Sequence, residues 1–95
     1  TMRVTSVQVH RLERREGRQT RGFHRVAVMT CSGDELYYSR RRFPLGDGGE
    51  RAARELAQQV DKGTIDRFDG DAWTAPDDPD PSWTLSVRWV SKRTP

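Results

Sequence analysis

Two tyrosines, Tyr37 and Tyr38, precede three consecutive arginines, Arg40-Arg41-Arg42, one serine further on. A guanidinium is a planar fork of donors that matches phosphate oxygens and guanine edges. A tyrosine ring beside it adds a stacking surface or a phosphate hydrogen bond. Arg25 and Arg88 lie on neighbouring strand patterns and can join the same set. A second cluster, Arg14, Arg15, Arg18 and Arg21, falls in the polar run Glu13–Arg21, so that Arg11 to Arg25 holds six arginines in fifteen residues. That run reads either as a phosphate-contacting arm or as a solvated loop around Gly17. Binding chemistry is what these residues offer.

Catalytic chemistry finds less support. His10 and His24 belong to different strand patterns, and Cys31 lies on the opposite face of its strand from His24, so no local Cys–His pair is set up. One cysteine allows neither an internal disulfide nor a thiol metal cluster. Asp66, Asp69 and Asp71 lack the glycine and terminal glutamate of a calcium loop. Gly46-Asp47-Gly48-Gly49 precedes a helix pattern, where free amides can hold an anion. Asp47 would repel a phosphate there, and a simple lead-in turn is the better reading. The expectation is a non-enzymatic protein with no metal and no cofactor.

The elements that position the arginines follow from periodicity. Arg3–Leu12 alternates as a strand, with Thr5, Val7, Val9 and Arg11 on one side and Val4, Ser6, Gln8, His10 and Leu12 on the other. Phe23–Cys31 is a second strand, largely apolar on both faces from Val26 onward, which suits a central position. A turn at Ser32-Gly33-Asp34 leads into a third strand, Glu35–Phe43, ended by Pro44. Its alternation places Leu36, Tyr38, Arg40 and Arg42 on one side and Tyr37, Ser39, Arg41 and Phe43 on the other.

Ala53, Leu56, Ala57 and Val60 then recur at helical spacing. Asp47 is the candidate cap and Gly63 the stop. Thr64–Ser82 is aperiodic, with prolines among aspartates and with Ile65, Phe68 and Trp73 able to pin it to the body. Trp83, Leu85, Val87 and Trp89 line one face of a last strand, where they are expected to supply core under the helix. The order β-β-β-α-β predicts one α+β domain over residues 1–95, a four-stranded, mainly antiparallel sheet with one helix on one face.

Composition fits that size and leaves a modest core. The chain has 95 residues, 33% hydrophobic and 33% charged, with a net charge of +3. Residues 1–63 carry 13 basic and 8 acidic residues, a net of +5, whereas residues 64–82 carry one basic residue and six aspartates, a net of −5. The body is basic and the loop, with Asp77, Asp78 and Asp80, is acidic. No run approaches the roughly 18 apolar residues of a membrane span. A soluble, cytoplasmic protein is expected, with no membrane partner.

Gly22–Val60 resembles the AP2-like DNA-binding domain of phage integrases and homing endonucleases. The matching residues are Gly22-Phe23 and a strand, then Tyr37-Tyr38-Ser39-Arg40-Arg41-Arg42-Phe43, then Gly48-Gly49-Glu50-Arg51-Ala52-Ala53. The resemblance implies a three-stranded sheet on one helix that reads DNA with the sheet, with Arg25, Arg40 and Arg42 as contacts. The strand Trp83–Trp89 and the acidic loop depart from the family's pattern. The reading that follows is a nucleic-acid-binding protein, for DNA or RNA, using Arg25, Tyr38, Arg40, Arg41, Arg42 and Arg88. The alternative is a phage-type antagonist that binds a host protein complex, such as a defence system, through the arginine face or the acidic loop.

Overall fold

The computed structural model describes residues 4–30, 36–63, 72–74 and 82–91. Two long strands form its centre: β1 (Val4–Glu16) and β2 (Gln19–Thr30) pair antiparallel along nearly their whole lengths. They are joined by a two-residue loop, Gly17-Arg18, and Gly17 takes a positive φ of 63°. That conformation suits the hairpin turns that match strand twist. The polar run Glu13–Arg21 is therefore a hairpin tip. The expected loop is corrected, because backbone pairing extends the ladder where no apolar alternation marks it.

β3 (Leu36–Ser39) pairs with β2, and β5 (Trp73–Thr74) pairs with β3 at one edge of the sheet. β6 (Thr84–Val90) pairs with β1 at the other edge. The order across the sheet is β5-β3-β2-β1-β6, with β4 (Phe43–Pro44) also on β2, and every pairing is antiparallel. The described residues form an α+β fold with one helix, as expected. The described residues hold six strands rather than four, in the chain order β-β-β-β-α-β-β.

Two departures account for the difference. The expected strand Glu35–Phe43 is broken after Ser39, whose hydroxyl accepts from the Val26 amide and donates to the Arg41 carbonyl. A side chain thus stands in for a ladder bond, and Arg40–Arg42 form a link between β3 and β4. The second departure is β5, two residues within a segment that lacks period. Trp73 does pin it, only 3% exposed, and the Arg40 amide donates to the Ala72 carbonyl beside it.

One face of the sheet carries the core. Val7 lies opposite Val28 and Val9 opposite Val26, and these four pack with Phe43, Trp73 and the helix residues Ala53, Ala57 and Val60. The helix α1 (Asp47–Asp61) approaches closely because its buried stripe is mostly alanine. Gly49 is needed for the same reason, since a Cβ there would lie 1.7 Å from the Pro44 carbonyl oxygen. Gly46, not Asp47, is the cap, and no side chain caps the helix; Asp47 sits in the first turn. Gly63 follows the helix end as expected, its amide donating to the Val60 carbonyl.

The last strand corrects the expected core. A bulge lies where the β1–β6 register passes from Val9↔Trp89 to His10↔Val87. The extra residue, Arg88, shifts the alternation. Trp89 packs against the core, while Leu85 and Val87 are each 49% exposed on the opposite face. Beyond β6 the Ser91 amide donates to the Val7 carbonyl, and the Val7 amide donates to the Ser91 hydroxyl.

The placement of these side chains separates two substitutions. Trp73→Ala is expected to cost about 3–5 kcal/mol, and Leu85→Ala under about 1 kcal/mol, in urea unfolding. Equal losses would show that the core has been put on the wrong face.

Candidate functional site

The face away from the helix gathers the chemistry. Period-two alternation in β2 turns Phe23 and Arg25 to this side while His24 and Val26 enter the core. In β1 the same rule turns out Gln8, His10, Leu12 and Arg14. The Arg25 guanidinium lies 5.3 Å from the Phe23 ring centre and 5.7 Å from that of Tyr38. Arg42 covers Phe23 at 4.3 Å. Phe23 meets Trp83 edge to face at 5.4 Å, and Arg14 lies 4.8 Å from the Trp83 ring. Three arginines and three aromatic rings thus form one continuous row, Tyr38–Phe23–Trp83.

An aromatic ring beside a guanidinium favours one placement of the long side chain. Less side-chain freedom remains to be lost on binding. Arg42 is exposed and makes no ion pair with a described carboxylate. At the hairpin tip Glu16 takes up Arg14 at 2.6 Å and Arg21 at 2.9 Å, which dilutes their charge. Arg15 and Arg18 are exposed there without such a partner among the described residues. A shallow groove at the root of the tip, lined by Glu13, Arg14, Arg15, Thr20 and Thr84, has a volume of about 230 Å³. That is below the range of roughly 300–1,000 Å³ for small-molecule pockets.

The sequence-selected residues divide between the two faces. Arg25, Tyr38 and Arg42 come together as expected. Arg40 is exposed in the β3–β4 link, and Arg41 instead stacks on Phe43, 4.8 Å away. Arg88 is a correction. As the bulge residue it turns toward the helix and donates to Glu50 at 2.7 Å, with Arg54 on the other Glu50 oxygen at 3.3 Å. These partners hold the Glu50 carboxyl below its usual range, Arg88 first. Asp77, Asp78, Asp80, Cys31 and the turn Ser32-Gly33-Asp34 lie outside the described residues.

Phe23 and Trp83 were not picked out from sequence, although Phe23 shares its strand face with Arg25. Trp83, expected in the core with Leu85 and Val87, lies with them on the helix-free face because of the bulge at Arg88. His10 is the other unanticipated member. Its Nδ1 accepts from the Tyr38 hydroxyl at 3.1 Å, and its Nε2 donates to Gln8 Oε1 at 2.7 Å. Burial pushes the imidazole below its ordinary pKa, so a neutral ring bridges the two. Burial raises the Tyr38 hydroxyl, and Arg25 partly offsets this. His24 faces the core on the neighbouring strand and donates from Nδ1 to the Pro44 carbonyl. The two histidines therefore point to opposite faces.

Among the described residues no three metal-binding side chains gather, and no helix is long and apolar enough to cross a membrane. The chain finds no match among family models, curated proteins or solved structures.

His10 sets a pH dependence of known sign. The unfolded chain takes up a proton near pH 6.5, and the folded protein does so only at lower pH. Stability from this group is complete above about pH 6.5 and falls as pH drops through that value toward the folded pKa. His10→Gln should remove this part of the decline between pH 7.5 and 5.5 in denaturant titrations. An unchanged decline in the variant would assign it to other groups.

Proposed function

We propose that the protein binds nucleic acid through the helix-free face of its sheet. The observation that carries this reading is the row in which Arg14, Arg25 and Arg42 stack on Trp83, Phe23 and Tyr38. Such a surface offers guanidinium donors to phosphates and ring faces to unpaired bases, without an enclosed pocket. The β1–β2 tip, with Arg15 and Arg18 exposed, extends the basic surface past the rest of the sheet. A two-stranded ribbon of this kind fits the major groove of a duplex. The resemblance of residues 22–60 to AP2-like DNA-binding domains leads the same way, and that segment holds most of β2, all of β3 and β4, and nearly all of α1. No reaction is proposed.

A mobility-shift titration of a short single strand and a duplex at two salt concentrations tests the reading. Affinity should fall steeply with salt, at a log–log slope of about −0.9 per phosphate contact on a duplex. Arg25→Ala with Arg42→Ala should weaken binding and flatten that slope by about 2. Trp83→Ala should cost roughly 1–3 kcal/mol on the single strand through lost stacking. Arg88→Ala, on the other face, should leave the slope unchanged. Absence of binding at physiological salt, together with recovery of a host protein complex that the Arg25/Arg42 variant loses, would replace this reading with the antagonist.

A further inference from the structure

We infer that β6 is a pairing edge for a second copy of this chain. The inference is independent of nucleic-acid binding. β6 is the last strand of the sheet, bonded to β1 along its inner edge from Glu13↔Thr84 to Gln8↔Val90. Among the described residues nothing pairs with its outer edge. Alternate amides and carbonyls of such a strand point outward and can accept another strand.

Edges are usually blunted by charge, by proline or by brevity. At the opposite edge the described residues give β5 only two positions, Trp73–Thr74. β6 has seven, Thr84–Val90, with no proline, lysine or carboxylate among them. Its one charge, Arg88, is turned to the helix side and held by Glu50 at 2.7 Å. What β6 presents instead is apolar: Leu85 and Val87 are 49% exposed and Val90 is 47% exposed.

A second copy suits this edge because antiparallel pairing of a strand with itself is self-complementary about a two-fold axis. With Ser86 on the axis, Leu85 lies opposite the partner's Val87, and Val87 opposite the partner's Leu85. Four aliphatic side chains then cover one another on the open face as cross-strand pairs. Thr84 lies opposite the partner's Arg88, so no like charges meet. An axis perpendicular to the sheet keeps both helices on one side, and the two sheets become one.

Sedimentation equilibrium over a range of concentrations tests this directly. The mass should rise from 10.9 kDa toward twice that value. Leu85→Lys combined with Val87→Lys should return it to the monomer with the circular-dichroism spectrum unchanged. Ser86→Cys in a Cys31→Ser background should give a cross-linked dimer with a short bismaleimide. A mass that stays at 10.9 kDa throughout would overturn the inference. So would a dimer that survives the lysine pair, or one that the Ser86→Cys variant fails to cross-link.

Discussion

The packing of four valines against an alanine stripe is the constraint on which the rest of the structure depends. Val7, Val9, Val26 and Val28 form two cross-strand pairs on adjacent central strands, all fully buried. Each such side chain contributes roughly 1.5–3 kcal/mol when removed from water, which makes this quartet a large share of a small core. Ala53 and Ala57 let the helix settle onto them, and Gly49 lets its first turn lie against Pro44. The helix covers the four valines on that face, and the side chains that alternate with them, among them His10, Arg14, Phe23 and Arg25, project from the other. The arginine–aromatic row is a consequence of where the valines are.

A second set of interactions ties the ends of the sheet to this centre. Glu50 in the first helical turn receives Arg54 from its own helix and Arg88 from the β6 bulge. An acidic side chain at that end also suits the helix dipole. The bulge thus has two effects. It brings a cation to the helix, and it lets one strand send Trp89 inward while Leu85 and Val87 stay outside. At the other edge Ser39 breaks β3 with its hydroxyl, which frees Arg42 to fold back over Phe23.

Much of this was legible in the alternation of single strands. Val7 and Val9 fell on one side of β1 and His10 on the other, and Ala53, Ala57 and Val60 marked the buried stripe of the helix. Period-two arithmetic failed at two interruptions of regular pairing. At Arg88 it carried Trp83, Leu85 and Val87 to the wrong face, and at Ser39 it ran one strand through a break. It was also silent at Glu13–Arg21, where pairing comes from the backbone and both faces are polar. Of the candidate row, Arg14, Arg25, Tyr38 and Arg42 stand out in the sequence, whereas Phe23, Trp83 and His10 do not. Their roles depend on neighbours in space that no local pattern displays.

The hydrogen bonds that join Val7 to Ser91 span 84 positions in the chain, and this separation places the parts of the sheet on very different clocks. The β1–β2 hairpin closes over two residues, and such closure takes about 1–10 μs. The partner of β1's other edge, β6, is the last of the described strands to be made. At about 5–20 residues per second of synthesis, that edge waits roughly 4–15 s after the hairpin tip has emerged. For this interval β1 offers unpaired backbone on the side that β6 will later occupy. β1 is thus among the first strands to find one neighbour and among the last to find the other.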